Sequence, residues 1–369
     1  MRIGMTALGL ALAASLWSVG AFAQNLTVTD ILGREVTLDG PADKVVLGEG
    51  RLIVTLALLH PDPASLLVGW PNDYQRQDPG TYAFFLEKSP ELAGVTIVGE
   101  GPENTFSIEQ TIAAEPDVVI FAGENSPASE DNELVRQIEA AGIPVVFVDF
   151  FRDPIAHTVP SIELLGKVLG QEEQAAELAA FYQSHLDAIS RALAAANPER
   201  PDVFMESHVG LNQGCCFAPG KGTLGSFIEF AGGHNIGSDV LPGVSGELSL
   251  EYIISQDPPI YVGTGGAHLA RVNGLVMGPN YEEATVREAL TRMIARPGIA
   301  DLNAVKSGRV YAVWHLFNDT PLSVIAIEAL AKFIHPELFA DLDPAETVAE
   351  INERFLAVPL RGTYWFALN

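Results

Sequence analysis

Short apolar runs alternate along this chain with longer amphipathic stretches, and that alternation organises most of it. Lys44–Leu47, Ser65–Val68, Val95–Val98, Asp117–Phe121 and Pro144–Val148 read as buried strands, and Leu52–Leu59 and Glu133–Ala141 as the helices between them. Gly48-Glu49-Gly50-Arg51 turns the first strand into a helix, while Gly69 to Tyr82 reads as a long polar and aromatic loop. Before them, Leu26–Leu38 alternates about Gly33-Arg34 as a hairpin does. From Ile155 to Ala196 the pattern is almost continuously helical, with Pro160 and Gly166 to Gly170 marking breaks or kinks. The strand–helix rhythm then restarts. It gives strand Asp202–Glu206, helix Thr223–Ala231, a Gly-rich turn at 263–266, helix Glu283–Ile294, strand Val310–Val313 and helix Pro321–His335. Asp341–Phe355 reads as a last amphipathic helix beginning near Asp343-Pro344. Strands alternating with helices over short links predict α/β architecture, with mostly parallel sheets covered on both faces.

Two distant stretches repeat one unit. Phe106-Ser-Ile-Glu…Pro-Asp-Val-Val-Ile-Phe-Ala-Gly123 and Leu248-Ser-Leu-Glu…Pro-Pro-Ile-Tyr-Val-Gly-Thr-Gly265 each start a helix at a Ser and place a Glu two residues on. A Pro follows each Glu by seven residues, and a buried strand ends in Gly. The repetition implies two similar lobes with a cleft between them, each presenting an equivalent glutamate, Glu109 and Glu251. A first-turn glutamate also suits the helix dipole, and Ser107 with Gln110 fits a capping box, so capping competes with docking as the explanation.

Composition narrows the partners. The 369 residues carry a formal net charge of −26 and are 48% hydrophobic, enough for real cores. Such acidity excludes nucleic acid, which needs basic surface. Arg2, the apolar run from Ala7 to Trp17 and Ala21-Phe22-Ala23 read as a secretory leader over residues 1–23, making the product periplasmic and soluble. The two cysteines are neighbours, Cys215 and Cys216. Adjacent Cα atoms sit about 3.8 Å apart, below the usual disulfide window of about 4.4–6.8 Å, and the reading leaves a vicinal bridge open.

At this point the chain resembles the periplasmic binding proteins that deliver ferric siderophores, haem or cobalamin to ABC importers. The resemblance rests on the two Ser-x-Glu units, the helical stretch between the lobes, the segment Gly220-Lys-Gly-Thr…His-Asn-Ile-Gly237 and Gly308-Arg-Val-Tyr-Ala-Val313. It implies an N-terminal α/β lobe over 24–151, a connecting helix over 152–171 and a C-terminal α/β lobe over 172–369. It also implies a rigid join with little closure, a monomer, and docking of Glu109 and Glu251 onto permease arginines.

Loops at the carboxyl ends of strands supply the contacts in such sheets. In the first lobe they hold Glu49 and Arg51, then Trp70, Asp73, Tyr74 and Arg76, then Glu124 and Asn125. In the second they hold His208, Asn212, Cys215, Cys216, Phe217 and Lys221, then His268, Arg271 and Asn273, then Trp314, His315, Phe317 and Asn318. Aromatic rings beside Arg, Lys and His suit a large, partly aromatic anion, an iron(III)–siderophore complex first. Haem or a corrinoid is the alternative, with Tyr74, His208, His268 and His315 as axial candidates. No H-x-x-x-H spacing announces a bare metal site. No G-x-S-x-G or H-E-x-x-H appears, so the expectation is a carrier without catalytic residues or a resident cofactor. Glu206-Ser207-His208 at a strand end keeps a siderophore-cleaving hydrolase as the lesser alternative.

Overall fold

The structure is a computed structural model that describes residues 25–122, 132–212 and 215–368. The expected leader, Glu124 and Asn125 lie outside the described residues. Among the described residues, no helix is long and apolar enough to cross a membrane.

In the N-terminal lobe, β1 (Leu26–Thr29) and β2 (Glu35–Leu38) form the antiparallel hairpin. The sheet proper contains β3 (Val45–Leu47), β4 (Leu67–Pro71), β5 (Thr96–Gly99), β6 (Val118–Phe121) and β7 (Val145–Phe147). Helices α1 (Leu52–Leu59), α2 (Asp73–Gln77), α3 (Pro79–Lys88), α4 (Ile108–Ala113) and α5 (Glu133–Ala140) connect them. All pairings in this sheet are parallel, in the order β5-β4-β3-β6-β7. Two local expectations change. Pro63 starts a 3-10 turn over Pro63–Leu66, which delays β4 until Leu67. The expected loop from Gly69 to Tyr82 carries α2 and α3 instead. Asp78 caps α3 by accepting from the Thr81 amide at 3.1 Å, and Pro79 sits in the first turn, where a missing N–H costs nothing.

The helical stretch is two helices, α6 (Pro154–Val168) and α7 (Glu172–Ala196), meeting at Gly170-Gln171. Pro160 lies inside α6 without ending it. The helices fold back on each other, and a Cβ on Gly166 would stand 2.3 Å from the Ala175 Cβ, so only glycine allows that approach. α7 packs against α1 on one side, and its Tyr182 hydroxyl lies 3.2 Å from Ser323 Oγ of the C-terminal lobe on the other.

The C-terminal lobe runs β8 (Asp202–Glu206), β9 (Phe217–Pro219), α8 (Thr223–Phe230), β10 (His234–Asn235), β11 (Ser245–Glu247), α9 (Leu250–Gln256) and β12 (Ile260–Gly265). It continues through β13 (Gly278–Pro279), α10 (Glu283–Ile294), α11 (Asn303–Lys306), β14 (Val310–Trp314), α12 (Ser323–Ile334) and α13 (Pro344–Arg354) to β15 (Gly362–Thr363) and β16 (Trp365–Ala367). Its main sheet has the order β10-β8-β12-β14-β16, parallel except for the antiparallel edge strand β16.

Each sheet reverses its winding once. In the first, β3, β4 and β5 step outward and β6 returns to the far side of β3; in the second, β10 steps outward from β8 and β12 returns to its far side. Both repeated units therefore feed the strand beside the switch point, β6 and β12. In open α/β sheets the crevice at the carboxyl ends of such strands is where ligands bind. One hydrophobic core continues through both lobes, and their backbones meet directly, the Ala357 amide donating to Ala57 O at 3.0 Å.

Candidate functional site

The turn after β3 places Glu49 and Arg51 at the first switch point, both buried. Arg51 Nη2 donates to Glu49 Oε1 at 2.7 Å, and Nη1 crosses to the other lobe to donate to Asn318 Oδ1 at 2.9 Å. Asp319 Oδ2 lies 3.4 Å from Arg51 Nε, a charge contact without a hydrogen bond. Burial opposes the guanidinium charge, but Glu49 and Asp319 outweigh it and keep Arg51 protonated. Burial and then Glu49 push Asp319 well above the usual carboxylate range. Asp73, after β4, accepts from the Gly50 amide at 3.0 Å, and a Cβ on Gly50 would stand 2.6 Å from that same oxygen. Burial, then Glu49, push Asp73 up to about 6 despite Arg51 nearby.

The second lobe answers with imidazoles. His208 follows β8, His268 follows β12 and His315 follows β14, and the fold brings the three together. His208 Nδ1 lies 2.8 Å from His268 Nε2, and the His208 and His315 ring centroids are 3.6 Å apart. Burial first, then His268 and Arg51, lower His208 to about 3; burial and Arg51 lower His268 to about 4. His315, held down by burial, His208 and His268, falls well below its ordinary value. All three are neutral at pH 7, the form that ligates metals.

Hydrogen bonding then fixes what these rings offer. Because Asn318 Oδ1 accepts from Arg51, its amide nitrogen faces His315 Nε2 at 3.4 Å, which must accept. His315 Nδ1 therefore carries the proton and donates to Thr264 Oγ1 at 2.8 Å. In the His208–His268 pair one ring donates and the other accepts. Whichever way the proton sits, the pair retains one bare ring nitrogen and one N–H. Two apolar side chains, Leu211 and Val272, stand about half exposed on the loops that follow His208 and His268.

Not every candidate residue joins this cluster. Trp70 lies within β4 rather than in a loop and is wholly enclosed, packed against Tyr82; Tyr74 and Phe317 are enclosed too. Their contribution is core packing, and they reach no accessible surface. Arg76 is exposed and ion-paired with Glu100. Lys221 and Arg271 are exposed. Cys215 and Cys216 are joined in a vicinal disulfide beside Glu206. That glutamate is held by Arg296 and by the Tyr261 hydroxyl at 2.7 Å, so it does not orient His208 for hydrolysis. Asp319 escaped the sequence reading because it lies beyond the residues that directly follow β14.

The matched glutamates sit in equivalent places. Ser107 Oγ accepts from the Gln110 amide and Ser249 Oγ from the Tyr252 amide, each at 3.2 Å. The capping therefore belongs to the serines. Glu109 and Glu251 are exposed and make no ion pair among the described residues.

This architecture has relatives. A solved TroA-like periplasmic binding protein, FepB from Veillonella parvula, is 27% identical over 93% of this chain and all of its own length, with a TM-score of 0.82. A periplasmic haem-binding protein from Pseudomonas aeruginosa shares the fold at 21% identity, covering 80% of this chain and 94% of that one, with a TM-score of 0.56. A cobalamin-binding protein from Halobacterium salinarum is 31% identical over 175 residues, which are 47% of this chain and 44% of that relative's length. A sequence model of periplasmic binding proteins matches residues 57–313, most of the chain, and the chain belongs to that family.

Proposed function

We propose that this protein is the periplasmic solute-binding component of an ABC importer, and that it carries a metal chelate, an iron(III)–siderophore complex first. The observation that supports this reading is the convergence of three neutral imidazoles, His208, His268 and His315, on the seam between the lobes. A chelate arrives with most of its metal's coordination filled and needs one further donor. The His208–His268 pair offers it at His208 Nε2 when His208 Nδ1 donates to His268, since His268 Nδ1 is enclosed. Leu211 and Val272 offer apolar contact to its organic shell, and the exposed Arg271 offers charge to an anion. Arg51 is occupied by Glu49 and Asn318, so its role is to tie the lobes. The protein acts as a monomer, with the connecting helix over 152–171, which holds α6, as the rigid join between an N-terminal lobe (24–151) and a C-terminal lobe (172–369).

A corrinoid is the second reading, favoured by the 31% identical stretch of the cobalamin-binding relative. Native mass spectrometry of protein isolated from iron-starved cells separates the two by the mass of the copurifying ligand. Tryptophan quenching by ferric chelates but not by cobalamin supports the first reading; the reverse supports the second; turnover of either would defeat the carrier reading.

Glu109 and Glu251 are the docking pair for the permease. Replacing both by Ala lowers uptake and leaves ligand affinity intact. Unchanged uptake in that double variant would remove the docking role.

A further inference from the structure

A second donor cluster lies beside the cleft and takes no part in the reading above. The Cys215 and Cys216 sulfurs and a Glu206 carboxylate oxygen all lie within 4.8 Å of one another. Among the described residues this is the one group of three His, Cys, Asp or Glu donors drawn so close. A bond between sequence neighbours closes no appreciable loop, so it restrains the unfolded chain little and adds little stability by that route.

The surrounding backbone holds the cysteines in place by other means. The Ser207 amide donates to Phe217 O at 2.6 Å and the Leu248 amide to Cys216 O at 2.9 Å, while β9 pairs with β11 immediately after Cys216. Glu206 is buried and fixed by Arg296 Nη1 on Oε1 at 2.9 Å and by both Arg296 Nη2 and the Tyr261 hydroxyl on Oε2, which leaves Oε1 as the oxygen with a single donor. A carboxylate oxygen with one such donor keeps a lone pair. Breaking the sulfur–sulfur bond would therefore leave three donors converging from anchored positions.

We propose that reduction of Cys215–Cys216 creates a binding site for a thiophilic divalent cation of the zinc class, held by both sulfurs and Glu206. Two electrons and two protons from a dithiol reductant cleave the disulfide to two thiols, and the donor leaves as its own disulfide. Metal binding then releases both thiol protons and forms two thiolate bonds of about 2.3 Å and one carboxylate bond of about 2.0–2.2 Å. Charge selects the ion. Two thiolates and Glu206 bring three negative charges, Arg296 one positive, and a divalent cation brings the buried cluster to neutrality. A monovalent ion leaves it one charge short. The oxidised loop has no thiolate and does not bind the ion, so affinity follows the redox state of the compartment.

The test titrates the whole mature protein with Cd2+, a spectroscopic substitute for zinc, before and after reduction by a phosphine that is then removed. The reduced protein is expected to bind one ion per chain with a thiolate-to-cadmium absorption band that Zn2+ displaces. The oxidised protein shows no such band. Cys216→Ser abolishes the band, and Glu206→Gln weakens binding at least about tenfold. Both redox forms are the same wild-type chain, so the comparison does not depend on a variant folding. Cadmium held at the cleft histidines would bind both forms without the thiolate band. Equal binding by the two forms, or a reduced protein without the band, overturns the proposal.

Discussion

The two lobes share a plan at their switch points and furnish it with opposite chemistry. After β3 and β4 the first lobe places Glu49 and Asp73 around a single arginine; after β8, β12 and β14 the second places His208, His268 and His315. Burial pushes Asp73 up to about 6 and His208 and His268 down to about 3 and 4. The difference lies in what each shift leaves at pH 7. Asp73 at about 6 is still mostly ionised at pH 7 and is bonded to the Gly50 amide, whereas a neutral imidazole keeps the lone pair that a metal takes. The first lobe thus supplies the tie across the seam, through Arg51, and the second supplies the imidazoles proposed as donors.

Removing the tie should have the largest effect. Arg51→Ala leaves Glu49 buried without its cation, and breaking such a pair costs roughly 3–5 kcal/mol. Denaturant unfolding measures it, and a loss below about 1 kcal/mol would mean that Arg51 does not hold the lobes.

Protons offer a smaller and more discriminating test, because the lobes respond to pH with opposite signs. Asp73 titrates at about 6 folded against 3.8 unfolded, so the folded state holds the extra proton and loses stability as pH rises from about 4 to 6. His208 and His268 titrate below their unfolded value of 6.5, so the unfolded chain takes the proton first and stability falls as pH drops from about 6.5 toward 4. In the shared window the two contributions oppose each other. Asp73→Asn should make stability climb more steeply with pH between about 4 and 6, and His208→Gln less steeply, each by on the order of 1 kcal/mol. Parallel profiles for the two variants would erase the contrast between the lobes. The smallest effect is expected at Arg76→Ala, whose exposed pair with Glu100 contributes about 0–1 kcal/mol and does not involve the seam.

The alternation of apolar runs and amphipathic stretches carried most of the fold, since a parallel strand buried on both faces has a distinctive composition. The departures have local causes. Asp78-Pro79 is a helix start hidden in a polar stretch that reads as loop, and Pro63 delays β4. β16 is a short antiparallel edge made from the chain's tail, with no helix to announce it. For the site, the rule that ligands gather at the carboxyl ends of strands named Glu49, Arg51, Asp73, His208, His268, His315 and Asn318 one by one. It gave no indication that they meet, because Arg51 and Asn318 are 267 residues apart and the three histidines share no motif spacing. Only the strand order assembles them. The enclosure of Trp70, Tyr74 and Phe317 was equally hidden, since an aromatic residue at a strand end looks the same whether it faces the cleft or the core.

The central claim is that an imidazole of the second lobe completes the coordination of a bound metal chelate. It is tested most directly by the visible absorption spectrum of a ferric chelate with one open coordination position, titrated with the wild-type protein and with His208→Ala/His268→Ala. Binding to the wild type should shift the metal's charge-transfer band, and the double variant should lose that shift and bind at least about tenfold more weakly. An unshifted band with the wild type, or the same shift and affinity in the variant, would contradict the account.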